Sequence, residues 1–381
     1  MVAPSAPLRI LFAPDSFKGT IAARDVAAAL IDGWRSVRPS DELIAMPMAD
    51  GGEGTLAALA GVFPEARRVP LEVLGPVSEP HLSEWLLIPD LHGVPTGVVE
   101  LAAGSGITHL REPAPFEAHT VALGQTIAAA LTAGVERLLI AVGGSASSDG
   151  GSGALSRLGI RGIDELGRSL APGLAGLAQV DRVVRASHEY DPPRGGAYVL
   201  CDVSTPLLGP DGCIRTFGGQ KGLGVEDWGR AERDLERWSD ALSRLVEGED
   251  RAAPSPSMRG TGAGGGTGFG LAAWGAELLP GAKAIAETVG LPQAVEWADI
   301  VVSGEGRFDA QTAQGKVASE VARLAEARGR RRMLVAGSIG APATAWHEAV
   351  ALEELVGREA AMAQPAAALR LAGEMLAAKA G

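Results

Sequence analysis

"ELIAMPMADGGEGT" runs from Glu42 to Thr55. Leu43–Met48 reads as a short buried strand, and "LAALAGV" after Thr55 reads as the start of a helix. Between them lie two carboxylates, Asp50 and Glu53, and three glycines. A connecting turn needs one glycine, seldom three. Working outward, "LRILFAP" (8–14) is strand-like by its Leu, Ile and Phe content. Val26, Leu30, Trp34 and Val37 then recur near helical spacing, with Thr20 placed to cap a helix ending at about Val37. The chain therefore opens strand, helix, strand, which implies a parallel sheet with right-handed crossovers.

The same pattern recurs downstream. "RLLIAV" (137–142) runs into "GGSASSDGG", and "AYVLCDV" (197–203) ends in polar residues. "ADIVVSGEGRFD" (298–309) passes from an apolar run into glycine and acid, and "RRMLVAGSIG" (331–340) ends in a turn. Five strands thus end in related loops. In open α/β sheets ligands bind beyond the carboxyl ends of the strands, so one site built from distant parts of the chain is expected. Between Arg67 and Leu101 the pattern changes to short strand-like runs separated by Pro and Gly, which marks a second domain. "ALGQTIAAALTAG" (122–134), 225–248, "FGLAAWGAELL" and the last ~16 residues read as helices. Residues 249–259 read as an exposed Pro/Ser-rich loop.

Length and composition restrict the function. A chain of 381 residues is too long for one core, so two domains are expected. The formal charge of -12 argues against a nucleic-acid partner, which demands a basic face. Two cysteines, Cys201 and Cys213, form no disulfide framework and no four-thiolate zinc site. No apolar run approaches the ~18 residues of a membrane span, and the N-terminus lacks a signal-peptide pattern, so a cytoplasmic protein without a membrane partner is expected. The six histidines form no HExxH motif and no close pair, leaving metal-histidine or Ser-His-Asp hydrolysis unsupported.

The remaining inventory is Asp, Glu, Lys, Ser and backbone amides, which suits phosphoryl transfer. "APDSFKG" (13–19) offers Asp15, Ser16 and Lys18 as a grip on phosphate or carboxylate. Asp50 and Glu53 suit a hydrated Mg²⁺, which takes one or two carboxylates plus phosphates; the bland alternative is a helix start capped by Asp50. In "VGGSASSDGGSG" (142–153), Gly143, Gly144, Ser145 and Asp149 form a phosphate-cradle candidate before a helix. No lysine follows at P-loop spacing. Asp202 stands at a strand end, and Lys221 lies between glycines in "FGGQKG" (217–222). "RGTGAGGGTGFG" (259–270) holds a literal G-x-G-x-x-G from Gly260 to Gly265, but after a Pro/Ser loop, not a strand, so the dinucleotide fingerprint fails its context. Glu305, Arg307, Asp309, Gln311 and Lys316 crowd one loop, 303–316.

These seven motifs, read in order, resemble the bacterial glycerate kinases of type I, and the resemblance covers residues from about 8 to about 380. It implies an α/β fold of two domains. One is flavodoxin-like with a parallel sheet and both chain ends (1–66 plus 293–381). The other is an inserted mixed-sheet domain resembling the restriction-endonuclease fold (67–292), with the site in the cleft between them. It implies phosphorylation of D-glycerate by ATP with Mg²⁺, usually to 2-phosphoglycerate. Asp202 is then the first candidate for the base, Asp50 the next, with Lys18 and Lys221 beside them. Gly143, Gly144, Ser145, Asp149, Gly264, Gly265 and Lys316 are candidates for the nucleotide. Asp15, Ser16, Arg307 and Gln311 are candidates for the acid substrate. Asp50, Glu53, Asp309 and Glu305 are candidates for the metal. Departures from the family pattern are Ser204-Thr205 for a Thr-Asn pair, Gly219 for proline and Gln314 for histidine. A homodimer is compatible with this reading; a nicotinamide oxidoreductase and a non-catalytic binder of small acids are the alternatives to it.

Overall fold

The computed structural model describes residues 6–186, 190–249, 252–309 and 316–380. Among them the strands are β1 (Arg9–Phe12), β2 (Glu42–Ala45), β3 (Arg67–Leu74), β4 (Pro80–Leu91), β5 (Val94–Glu100), β6 (Arg137–Ala141), β7 (Ile160–Ile163), β8 (Arg182–Arg185), β9 (Ala197–Leu200), β10 (Glu277–Leu279), β11 (Ile300–Phe308), β12 (Arg331–Ile339) and β13 (Glu348–Ala351). The chain divides into two compact units. The first is Met1–Asp50, Ala57–Pro64 and Gly281–Gly381; the second is Gly51–Leu56 and Glu65–Pro280. The boundary falls inside the quoted stretch, between Asp50 and Gly51.

The first unit is built on a five-stranded sheet in the order β13-β12-β11-β1-β2, with every pairing parallel. Numbered within the unit, that is 2-1-3-4-5, the flavodoxin-like order, whose direction reverses between β1 and β11. Ile10, Leu11 and Phe12 of β1 are fully buried, as expected of a central parallel strand covered on both faces. Phe12 meets Trp34 edge to face at 5.7 Å. Trp34 lies on the helix Ala23–Val37, which packs on the last helix, Pro365–Lys379. Two glycines make that packing close. A Cβ at Gly33 would stand 2.0 Å from the Arg370 carbonyl oxygen, and one at Gly373 would stand 2.4 Å from that of Leu30. The two ends of the chain are thus joined in one core. Thr20 is not the helix cap: the helix starts at Ala23, and the Thr20 hydroxyl donates to the Phe17 carbonyl at 2.7 Å.

The second unit carries a mixed six-stranded sheet, β10-β9-β6-β5-β4-β3. β3, β4 and β5 are antiparallel neighbours, while β5, β6, β9 and β10 run parallel. β7 and β8 form a separate antiparallel pair. "FGLAAWGAELL" is not one helix. The helix ends at Trp274, and Glu277–Leu279 pairs with β9 as β10. The amphipathic helix Trp228–Glu247 buries Leu235, Trp238 and Leu242 in this unit's core. No helix among the described residues is long and apolar enough to cross a membrane.

Candidate active site

In the first unit a cavity of about 580 Å³ opens at the carboxyl ends of the parallel strands. Asp15, Ser16 and Lys18 enter it from beyond β1, Asp50 from beyond β2, and Glu305 and Arg307 from the end of β11. This is the β1/β11 reversal of the sheet, where neighbouring loops leave in opposite directions and open a crevice. Lys18 Nζ pairs with Asp50 Oδ2 at 3.1 Å. Asp15 is 8% exposed and its Oδ1 accepts from the Ser16 amide at 2.6 Å. Burial, helped by the charge of Asp50, pushes the Asp15 carboxyl up to about 7; Lys18 opposes the shift. A carboxyl that holds its proton to neutrality in a cavity is a functional-site signature.

Arg307 and Lys316 also line this cavity, and Arg307 pairs with Asp309 at 3.3 Å. Gln311 lies outside the described residues. Of the four acids expected to share a metal, Asp50 and Glu305 line this cavity. Asp50, Glu305 and Asp309 belong to the first unit, while Glu53 belongs to the second and is exposed. Among the described residues no group of three His, Cys, Asp or Glu is placed to hold an ion. Asp15 and Asp50 both line this cavity, and the charge of Asp50 helps to raise Asp15. Two carboxylates lining one cavity fit a hydrated Mg²⁺, a hard cation that takes few protein oxygens and completes its shell with water and phosphate.

In the second unit, the carboxyl ends of β5, β6 and β9 carry Glu100, the loop from Gly143, and Asp202. The segment Gly51–Leu56 belongs to this unit, which explains its glycines. Gly51 has φ +82°, and a Cβ there would stand 2.8 Å from Leu200; a Cβ at Gly143 would stand 2.6 Å from Gly52 Cα. Gly54 has φ +95°. The three glycines let the segment lie against the strand ends. The start of the following helix is held by Glu100, whose Oε1 accepts from the Gly54 amide and Oε2 from the Leu56 amide, each at 3.1 Å. Burial raises the Glu100 carboxyl, and these amides oppose the rise. Its signal in the sequence is an acid closing the buried run "TGVVE", the pattern used to single out the other strand ends.

The 143–151 loop is mostly packed inward. Gly143 and Gly144 reach the surface, while Ser145, Ser147, Ser148 and Asp149 are buried. Asp149 is fully buried, and its carboxylate accepts from the Thr120 amide and hydroxyl and from the Gly151 and Gly153 amides, at 2.8–3.1 Å. It fixes the loop and presents no oxygen to a nucleotide. Lys221 is likewise 4% exposed, with Nζ donating to the Ser147 carbonyl, and burial lowers it to about 8. Lys221 supports the loop from beneath and does not face a ligand. Gly264, Gly265 and Gly266 are consecutive left-handed residues. A Cβ at Gly265 would lie 2.0 Å from the Ser147 carbonyl oxygen and 2.8 Å from Lys221 Nζ. The close approach this glycine permits is therefore to another loop of the chain. Asp202 is half-buried, and the neighbouring Cys201 thiol is pushed up to about 11 by burial and by the Asp202 charge.

Each of the two α/β units carries charged or glycine-rich loops at the carboxyl ends of its parallel strands, where such folds place their ligand sites. The glycerate kinase family model matches residues 10–380, and the chain belongs to that family. It is 34% identical over 345 residues to a glycerate kinase of Bacillus subtilis (90% of this chain, 88% of that one). It is 31% identical over 335 residues to the glycerate 2-kinase of Escherichia coli (87% and 86%). A solved structure of a putative glycerate kinase 2 from Salmonella typhimurium superposes with a TM-score of 0.82 at 31% identity, covering 98% of both chains.

Proposed function

We propose that the chain phosphorylates D-glycerate from Mg²⁺-ATP, with 2-phosphoglycerate as the preferred product and 3-phosphoglycerate as the other regiochemical outcome. The observation that carries the reading is the Asp15–Lys18–Asp50 cluster at the switch point of a parallel sheet, in a chain of this family. Phosphoryl transfer needs positioning and neutralisation of charge more than covalent chemistry, and this cluster supplies both signs within one cavity. Asp15 and Asp50 would hold Mg²⁺, which when bound neutralises phosphate charge. Lys18, Arg307 and Lys316 bind phosphate oxygens or the substrate carboxylate. Asp202 accepts the proton of the attacking hydroxyl. Gly143 and Gly144 present exposed backbone to substrate, with Ser145, Asp149, Gly264, Gly265 and Lys221 holding their loop in shape.

A nicotinamide oxidoreductase is disfavoured by a specific observation. The literal G-x-G-x-x-G does not connect a strand to a helix, and its last glycine lies in a left-handed turn packed on Ser147. The test is turnover of D-glycerate with Mg-ATP, followed by NMR of the product. Phosphoglycerate is expected, and its phosphorus–proton couplings assign the hydroxyl. A folded, nucleotide-binding protein that forms none overturns the reading.

A further inference from the structure

We propose that the far end of the first unit's cavity is a nucleoside site. The base of a nucleoside triphosphate would lie against Met362, Leu352 and Ile339, its ribose near Glu353 and its phosphates toward Lys18. This rests on the reading above that a nucleotide is the phosphoryl donor. Three features of the cavity carry it.

The first is size. A cavity of about 580 Å³ is far larger than a three-carbon acid requires, and it falls within the roughly 300–1,000 Å³ of sites that enclose ligands of nucleotide size. The second is a gradient of chemistry. The β1 end is charged, with Asp15, Lys18 and Asp50. The β13 end is lined by Leu352, Ala361 and Met362, with Ile339 from the end of β12 between them and the charged Glu353 and Arg358 at the same end. Leu352 is 1% exposed and forms a floor, whereas Met362 is 59% exposed at the rim. A polarizable thioether over an open apolar recess suits the face of an aromatic base, and its exposure has no explanation in core packing.

The third is length. β1 and β13 are separated by three strand spacings through β11 and β12, or about 14 Å at ~4.8 Å per spacing. A triphosphate, ribose and base laid across the sheet edge spans a distance of that order, with charge at one end and a flat apolar group at the other. In the proposed polarity the phosphates lie toward Lys18, opposite to them in charge, and the base lies on Met362. Glu353, half-buried at the start of the helix Leu352–Val356, is placed to accept from ribose hydroxyls, the chemistry by which an acidic residue marks a ribose in other α/β nucleotide sites. Gly337, Ser338 and Gly340, at the carboxyl end of β12, put no bulky side chain in the middle of the path.

The experiment compares binding of fluorescent ATP, of ATP itself and of inorganic tripolyphosphate to the full chain, wild type and the variants Met362→Glu and Glu353→Gln. Met362→Glu is expected to weaken both nucleotides at least 10-fold and tripolyphosphate less than 2-fold. Glu353→Gln is expected to weaken ribonucleotides while leaving tripolyphosphate unchanged. Photolabelling of the wild type with an azido-purine nucleotide should mark peptides within residues 338–362. Labelling in the second unit, or unchanged nucleotide affinity in both variants, overturns the nucleoside site while leaving glycerate phosphorylation standing. Folded wild type that binds no nucleotide overturns both.

Discussion

Replacing Asp15 by asparagine is expected to stabilise the metal-free protein at pH 8 and to do little at pH 4. The Asn side chain keeps the Oδ1 that accepts from the Ser16 amide, so the substitution removes chiefly the ionisable oxygen. Asp15 is buried, and its carboxyl rises from an ordinary 3.8 to about 7, first through burial and then through Asp50. Below pH 3.8 both folded and unfolded chains carry the proton, and the group contributes nothing. Between 3.8 and about 7 the unfolded chain loses the proton while the folded chain keeps it. Stability therefore falls as pH rises through this window and levels off above it. At 1.36 kcal/mol per pK unit the full difference is about 4 kcal/mol, an upper bound because Lys18 and water relax around the charge. For a unit of this size that corresponds to roughly 8–16 °C in Tm. The assay is calorimetry of both proteins in EDTA at pH 4, 6 and 8. The gap should open with pH and stop widening above about 7. Parallel pH profiles for the two proteins would refute the buried, proton-holding Asp15. The same variant should lose about 100-fold or more in kcat/KM, the usual fate of a stabilised functional site.

Further outcomes follow from the same geometry. Asp50→Asn removes the like charge beside Asp15, so the loss of stability between pH 4 and 7 should shrink; the same calorimetric series measures it. Titrating Mg²⁺ into the protein at pH 6.5 should release protons from Asp15, read as a binding enthalpy that varies with the ionisation enthalpy of the buffer. Gly265→Ala adds a Cβ 2.0 Å from the Ser147 carbonyl oxygen at φ +70°, and urea unfolding should show a loss above ~3 kcal/mol. Glu100→Ala leaves the Gly54 and Leu56 amides without their acceptor, expected to cost ~1–3 kcal/mol each and to raise hydrogen exchange at the start of the Thr55–Val62 helix.

The order of elements was legible because it rests on local patterns. Apolar runs ending in glycine and acid located the strand ends, and the motif order located the family. Where helices began was less legible: Thr20 has the right chemistry for a cap, yet its hydroxyl turns to Phe17. "FGLAAWGAELL" has a helical composition throughout, but β9 offers an edge on which Glu277–Leu279 pairs.

Within the site, the sequence by itself determined which kinds of side chain gather at the strand ends. Asp, Lys and Gly there follow from chain-local rules of strand, turn and helix start. Which of them face a ligand was decided only by tertiary structure. Asp15 and Asp149 are both acids in loops after buried strands. One opens into a cavity beside Asp50; the other is saturated by four hydrogen-bond donors and buried. Lys18 and Lys221 both lie among small residues, yet one pairs in the cavity and the other props a carbonyl beneath a loop. Gly51 and Gly52 of "ADGGEGT" serve contacts with Leu200 and Gly143, nearly a hundred and more residues away. Those partners are set by how the sheet brings strand ends together, and no local pattern encodes a distance across a sheet.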